Sequence, residues 1–173
     1  GMQTIGYSGD VVIPLALIPR QNGKPITLKA HLDLGVCSDI CVPHQMTLKT
    51  VINDSNTQPS PVIAAALASA PFSAKEARVT ASTCILTPAA DGLHIKATLA
   101  LPSTGGKEVV VIETGQPDLW MGETKTTRKG GSLVVTGDMI ASSGTAIGID
   151  RSAIRFTVLG KKHAVDIRGC TPG

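Results

Sequence analysis

Residues 26–45 read ITLKAHLDLGVCSDICVPHQ, and this stretch decides most of what the sequence predicts about the fold. From Ile26 to Leu34, apolar and polar residues alternate over nine positions. A period of two is typical of a β-strand that turns one face to a core and the other to water. The stretch therefore predicts a strand that leads directly into two closely spaced cysteines, Cys37 and Cys41.

Two further runs flank this strand. The apolar run 9–19 contains Pro14 and ends at Pro19, so it predicts a strand at a sheet edge, because proline cannot donate to a β-ladder. The Asn22-Gly23 pair is a turn signal, and it predicts a hairpin between this run and the alternating strand. After the cysteines, residues 45–52 predict a returning strand.

One helix is predicted, and it is short. Ser60 is a good N-cap and Pro61 suits the first helical position, whereas Pro71 ends the pattern. Apolar residues between the two prolines fall at helical spacing: Val62, Ile63, Ala66, Leu67 and Ala70.

From Lys75 onward the sequence alternates short strands with glycine-containing turns at intervals of about ten residues, a pattern typical of an antiparallel β-sandwich. The fold class predicted is mainly β, an antiparallel β-sandwich with one short helix. The strands predicted for this part are 77–86, 93–101, 108–113, 132–136, 154–159 and 163–167.

These elements predict three segments along the chain. Residues 1–58 form a cysteine-bearing β-hairpin unit, residues 59–72 a short helix and linker, and residues 73–173 a second β-sandwich unit. The first unit has too few strands to close a sandwich of its own. We therefore expect it to pack on the second unit, to pair with another chain, or to lack preceding residues.

Composition narrows the classes of function. Aromatic residues make up only 2% of the chain, which argues against single-stranded nucleic-acid platforms and carbohydrate sites that depend on stacking. The net charge of +3 is scattered, apart from the short basic cluster 125–129, for which a solvated loop is favoured over a phosphate site. No apolar run of 18 or more residues and no charged-then-apolar leader occurs, so neither a membrane span nor a signal segment is predicted within the sequence.

The four cysteines allow three complete pairings. A disulfide needs Cα atoms about 4.4 to 6.8 Å apart, whereas an extended chain would hold Cys37 and Cys41 roughly 13 Å apart. The chain must therefore turn between them if they are bonded. A bond between Cys84 and Cys170 would close a long loop and stabilise by about 4 to 5 kcal/mol, against about 2 kcal/mol for the short loop. Cys84 and Cys170 are therefore the better candidates for a structural disulfide.

The residues leave three interpretations of the short pair open. The first is a dithiol that exchanges with a disulfide, which needs two neighbouring thiols on a loop that a partner can reach. The second is a zinc or copper site, because Cys37, Cys41 and His44 are acceptable ligands, with His31 as a fourth. The third is a static loop disulfide in an oxidising compartment.

The charges around the short pair bear on its redox chemistry. No Lys or Arg occurs between Lys29 and Lys49, so nothing in the sequence stabilises thiolates at Cys37 and Cys41. A pair whose thiolates are poorly stabilised favours a stable disulfide and therefore a reducing dithiol. His44, if protonated, would oppose this tendency.

Three other residues are candidates for a functional site. His94 and His163 lie on predicted strands and are interpreted as ordinary sheet residues. Trp120 is interpreted as a core or rim residue, with partner binding as its alternative role.

A resemblance to a known family adds what spacing alone does not provide. The runs Ile5-Gly-Tyr7, Val11-Val-Ile-Pro-Leu15 and Leu32-Asp-Leu-Gly-Val-Cys37-Ser-Asp-Ile-Cys41-Val-Pro43 resemble the periplasmic N-terminal domains of the DsbD and ScsB thiol:disulfide interchange proteins. The likeness is to the form with a V-C-x-x-x-C-x-P motif, and it is specific over about residues 5 to 50.

The resemblance implies an immunoglobulin-like β fold and a periplasmic location. It also implies that Cys37 and Cys41 are the redox-active pair, which takes electrons from a thioredoxin-like or membrane-embedded partner protein and passes them to a periplasmic disulfide-bearing substrate. Neither a cofactor nor nucleic acid is required. The sequence contains no membrane or thioredoxin domain, so electron delivery is expected to depend on a separate protein.

Overall fold

The structure is a computed structural model that describes residues 5–19, 21, 23–53, 58–141 and 148–173. The chain divides into two compact units. One comprises the described part of Tyr7–Ala68, and the other comprises the described part of Ser69–Gly173 together with Ile5 and Gly6. The three predicted segments, with their boundaries at residues 58 and 72, stay a prediction about folding units.

The first unit is built on one long hairpin. Strand β1, Ile26–Cys37, pairs antiparallel with β2, Cys41–Ile52. The register runs from Ile26 opposite Ile52 to Cys37 opposite Cys41, so the two cysteines form the last pair of the ladder. Along Ile26–Asp33 of β1, half-buried residues alternate with exposed residues, which confirms the period of two seen in the sequence.

The partner predicted for β1 was wrong. Segment 9–19 forms no strand, and β1 pairs instead with the strand that follows the cysteines. Pro14 and Pro19 lack the N–H groups that a ladder needs, whereas the three residues between Cys37 and Cys41 form a tight connection between two long strands. Asn22, half of the predicted Asn-Gly turn, lies outside the described residues.

Helix α1, Pro61–Ala68, also belongs to the first unit and confirms the predicted helix. Ser60 precedes it, and its backbone oxygen accepts the first helical hydrogen bond from the Ala64 N–H at 2.9 Å. The Ser60 Oγ lies 3.5 Å from the Ile63 N–H, in the position of an N-cap. Within the described part of the chain, no helix is long and apolar enough to cross a membrane.

The second unit is a two-sheet sandwich. Its strands are β3 Phe72–Ser73, β4 Ala81–Ala89, β5 Gly92–Ala100, β6 Val109–Glu113, β7 Leu119–Met121, β8 Lys125–Lys129, β9 Ser132–Ala141, β10 Arg155–Leu159, β11 Ala164–Arg168 and β12 Thr171–Pro172. One sheet has the order β3-β11-β10-β6, and the other has the order β12-β4-β5-β9-β7, with β8 also paired to β9. Neighbouring strands are antiparallel except for β3 with β11 and β12 with β4.

The core of the second unit lies between these two sheets. Alternate residues of each long strand are buried, as expected when one face of every strand meets the opposite sheet. Both sheets contribute fully buried side chains to one cluster, which includes Ile95, Leu99, Leu133, Val110, Phe156, Val158 and Val165. The predicted mainly β sandwich is confirmed, with one short helix among the described residues.

The basic cluster 125–129 is a strand rather than the predicted solvated loop. These residues form β8, which pairs with Ser132–Thr136 of β9 across the Gly130-Gly131 turn. Lys125 and Lys129 are exposed, whereas Thr126 and Arg128 are half-buried. The run was not recognised as a strand because an arginine occupies one of its inward-facing positions. Arg128 turns inward to a buried carboxylate that is described below.

Candidate functional site

The candidate site is the closed end of the hairpin. Cys37 and Cys41 are bonded as a disulfide, with their Cα atoms 4.0 Å apart. Ser38, Asp39 and Ile40 form the connection, and the Ser38 N–H donates to the Ile40 carbonyl at 3.0 Å. The turn that the four-residue spacing requires is therefore present, and the disulfide spans the last pair of the ladder.

The hairpin has two faces of different character. We call one the disulfide face: it carries Cys37, Gly35, Asp33 and His31 of β1, opposite Cys41, Pro43, Gln45 and Thr47 of β2. Because successive side chains of a strand alternate, the other face carries the intervening residues, and we call it the apolar face. Its members nearest the turn are Val36, Leu34, Val42, His44 and Met46.

The disulfide end is open to solvent. Both cysteines are exposed, and the apolar residues beside them are exposed as well: Val36 by 62%, Ile40 by 74% and Val42 by 53%. Thiol-disulfide exchange requires that an incoming sulfur reach the bond, so exposure is the first condition for exchange here.

The alternative metal ligands are not brought together with the cysteines. His44 lies on the apolar face, three residues from Cys41, so its side chain leaves the strand on the side opposite to the sulfurs. His31 shares the disulfide face but lies six residues from Cys37, about 20 Å along the strand. Its Nδ1 lies 2.9 Å from the Thr47 hydroxyl. Among the described residues, no group of three or more His, Cys, Asp or Glu side chains could hold a metal ion.

Positive charge lies far from the disulfide within the hairpin. The basic side chains of β1 and β2 are Lys29 and Lys49, which face each other eight residues from the cysteine pair, about 27 Å along the strands. Asp39, in the turn itself, is exposed and carries the opposite charge. The hairpin thus offers no nearby cation to stabilise a thiolate at Cys37 or Cys41.

The second disulfide joins Cys84 to Cys170 in a different setting. Cys84 is 1% exposed on the inner face of β4, and the two Cα atoms are 5.7 Å apart. The bond lies where β12 adds in parallel to β4, with the Ser82 hydroxyl donating to the Gly169 carbonyl at 2.9 Å. This disulfide therefore fastens the last strand of the sandwich to the core.

The other candidates lie on the second unit. His94 is an outward residue of β5, and its Nδ1 lies 2.7 Å from an Asp138 carboxylate oxygen on β9. His163 stacks on Phe72, with ring centroids 5.0 Å apart. Trp120 is an outward residue of β7 and is 73% exposed, so it is not a core residue. None of these three belongs to the hairpin that carries Cys37 and Cys41.

A buried ion pair of the sandwich was missed by sequence reasoning. Glu108 is 8% exposed, and its carboxylate accepts hydrogen bonds from the Thr104 N–H at 2.7 Å and from Arg128 Nη2 at 2.8 Å, while Arg128 Nε contacts its other oxygen. Burial raises the pKa of Glu108, but the hydrogen bonds from Arg128 and Thr104 outweigh it and lower the pKa to about 2. The only signal in the sequence was the alternation within the basic run 125–129, which sets Thr126 and Arg128 on the face opposite to Lys125 and Lys129.

A protein family and a solved structure are similar to this chain over different lengths. Residues 1–53 match the family described as "Thiol:disulfide interchange protein DsbD, N-terminal". Among solved structures, the N-terminal periplasmic domain of ScsB from Proteus mirabilis is similar to this chain with a TM-score of 0.57 and 19% sequence identity. No curated protein matches the chain.

The two chains in the structural match differ in length. The match covers 85% of this chain and 58% of the ScsB domain, so this chain spans little more than half of that domain. The resemblance stated from the sequence, to a DsbD-like N-terminal domain, is confirmed for the region that carries both hairpin cysteines. The predicted immunoglobulin-like β-sandwich class is confirmed as well.

Proposed function

We propose that this protein is a periplasmic thiol-disulfide exchange domain whose Cys37 and Cys41 cycle between disulfide and dithiol. The observation that carries the proposal is the position of this disulfide, which closes the exposed end of a two-stranded hairpin. The match of residues 1–53 to the DsbD N-terminal family supports the same function, and the similarity to the periplasmic domain of ScsB supports the periplasmic location.

The exchange needs only sulfur chemistry. A thiolate of a reduced partner attacks one sulfur of the Cys37–Cys41 disulfide, a new S–S bond forms, and the other sulfur leaves with the electron pair as a thiolate. The second thiol of the partner loses its proton to water and attacks the partner's own sulfur in this mixed disulfide. The partner is then oxidised to a disulfide, and Cys37 and Cys41 are reduced by two electrons and take up two protons.

The direction we propose is from a donor protein, through this domain, to a substrate. The hairpin has no cation near the disulfide to stabilise a thiolate, which favours the disulfide and makes the reduced form a good electron donor. The donor we infer is a thioredoxin-like or membrane-embedded protein, and the acceptor is a disulfide-bearing periplasmic protein. No cofactor takes part in these steps.

Redox titration tests this function directly. The protein is equilibrated in glutathione or dithiothreitol buffers of graded potential, free thiols are trapped by alkylation, and the modified cysteines are mapped by mass spectrometry. We expect Cys37 and Cys41 to become alkylated together over a narrow range of potential. Cys84 and Cys170 serve as the internal control and are expected to stay oxidised in the folded protein, because Cys84 is 1% exposed.

Two results would contradict the proposal. One is a Cys37–Cys41 disulfide that stays oxidised in buffers that reduce other exchangeable pairs. The other is protection of the reduced thiols by stoichiometric zinc or copper that His44→Ala weakens, which would favour the metal site instead.

A non-catalytic immunoglobulin-like interaction domain is the second candidate function. Trp120 favours it, because a tryptophan that is 73% exposed on a sheet is a typical centre of a protein interface. In this case both disulfides would be permanent, and the redox titration would show no reduction of either pair while the protein stays folded.

A further inference from the structure

The surroundings of the hairpin disulfide differ between its two sides. On the disulfide face, the neighbours of the cysteines toward the body of the hairpin are Gly35 and Pro43, which lie opposite each other. Gly35 has no side chain, and the proline ring is compact and bonded back to its own backbone. The next side chains on this face are Asp33 and Gln45, four residues from the cysteines and about 13 Å along the strands.

Neither the backbone nor the packing requires a glycine at position 35. Its φ lies outside the left-handed region that favours glycine, since it is not among the residues with positive φ. A Cβ placed on Gly35 would meet only the Cys37 Sγ, at 3.9 Å, which is an ordinary van der Waals contact. A glycine inside a strand costs roughly 0.5 to 1 kcal/mol relative to alanine, so the position gives up stability with no local structural gain.

We propose that Gly35 is a specificity-determining residue, which leaves the approach to the Cys37–Cys41 disulfide open to the thiol of a folded partner protein. This inference rests on the proposed exchange function and adds which residue controls access. A thiolate must approach a disulfide close to the line of the S–S bond. A small thiol can reach that line past a neighbouring side chain, whereas a thiol fixed on a protein surface brings the surrounding surface with it.

The face beyond Gly35 fits this kind of partner. Beyond the Gly35–Pro43 row, an open depression of about 310 Å³ lies around Asp33 and Gln45, and its lining also includes His31, Thr47 and the intervening pair Leu32 and Met46. A partner surface can therefore settle against the disulfide face without displacing a side chain beside the sulfurs. On the apolar face, by contrast, the row next to the cysteines is the pair Val36 and Val42, whose side chains stand beside the turn.

The test compares a small reductant with a protein reductant on substituted hairpins. Gly35→Val adds a β-branched side chain that suits a strand and stands beside Cys37 Sγ, and Gly35→Ala adds only the methyl group that the structure accommodates. Thr27→Ile is the matched control, since it adds bulk to the same face of the same strand about 33 Å from Cys37. Rates of reduction are measured with dithiothreitol and with reduced thioredoxin, after circular dichroism and urea midpoints establish folding.

We expect Gly35→Val to slow reduction by thioredoxin about 10-fold or more and reduction by dithiothreitol less than about 3-fold. The rate at which thioredoxin reduces Gly35→Ala should lie between the rates for Gly35→Val and the wild type. If Gly35→Val does not fold, the comparison of Gly35→Ala with the wild type is the test. Thr27→Ile should change neither rate.

The outcomes separate this inference from the function on which it rests. If the wild-type disulfide reacts with neither reductant, the exchange function itself is wrong. If dithiothreitol reduces it and thioredoxin does not, or if the Gly35 variants lose both rates equally or neither, exchange stands and the role of Gly35 is overturned.

Discussion

The two disulfides of this protein lie in opposite surroundings. Cys37–Cys41 closes five residues at the exposed end of a hairpin, whereas Cys84–Cys170 has a sequence separation of 86 and reaches the inner face of β4. The contrast extends to the regions that hold them. The sandwich buries side chains from both of its sheets, while β2 is exposed along its whole length.

Loop length and burial give the two bonds different consequences for stability and for access by a reductant. A long closed loop strongly restricts the unfolded chain, so Cys84–Cys170 contributes mainly to stability. A short closed loop restricts the unfolded chain little, so the Cys37–Cys41 bond can open without a large loss of folded structure. Burial adds to the contrast, because a reductant can reach one bond directly and must wait for local opening to reach the other.

The largest expected effect is the loss of the sandwich disulfide. The double variant Cys84→Ala/Cys170→Ala should lower the free energy of unfolding by about 4 to 5 kcal/mol, against about 2 kcal/mol for Cys37→Ala/Cys41→Ala. Urea denaturation of both double variants and of the wild type measures these losses. Each variant keeps the disulfide that the other lacks, so the two losses can be compared directly. Equal losses, or a larger loss for the hairpin variant, would remove the distinction between the two bonds.

The next effect concerns acid and the buried carboxylate of the sandwich. The pKa of Glu108 is lowered to about 2 in the folded protein, so its stabilising contribution is present above its ordinary pKa and is lost as the pH falls from about 4.5 toward 2. Glu108→Gln should cost about 2 to 3 kcal/mol at neutral pH, less than for a fully buried pair because 24% of the Arg128 side chain is exposed. Between about pH 4.5 and pH 2, the stability of the Glu108→Gln variant should depend less on pH than that of the wild type.

Urea midpoints between pH 2 and pH 7 measure this dependence. Glu123→Gln, at an exposed glutamate between β7 and β8, is the control and should follow the wild type. A Glu108→Gln variant with the same acid slope as the wild type would contradict the role of this ion pair.

The smallest expected effect is at the exposed tryptophan. Trp120→Ala should change the free energy of unfolding by about 0.5 kcal/mol or less, since surface substitutions away from packed features cost little. Phe156→Ala, at a fully buried aromatic residue of the same unit, should cost about 3 to 5 kcal/mol in the same urea experiment. A large loss at Trp120 would give it a structural role and remove the observation that favours a separate interaction surface.

Local patterns in the sequence predicted several elements of this fold. The alternation of Ile26–Leu34 predicted β1, Ser60 and Pro61 predicted the start of α1, and glycine-containing turns marked several strand boundaries of the sandwich. The local sequence also bears on the alternative metal site. Cys41 and His44 are three positions apart, and an odd separation puts two residues of a strand on opposite faces. Once residues 41–52 are recognised as a strand, His44 must lie on the face opposite to the sulfurs.

The local sequence was enough to predict β1, α1 and the strand-and-turn character of the second unit, because periodicity, capping and turn chemistry depend on residues close together in the chain. It misplaced a strand at 9–19 and a loop at 125–129. Three features emerge from the folded chain alone: β1 pairs with β2 and not with segment 9–19, Arg128 turns inward to Glu108, and Cys84 meets Cys170. Each of these is a choice among partners distant in sequence. Such choices depend on packing and register across the whole molecule, which no local pattern contains.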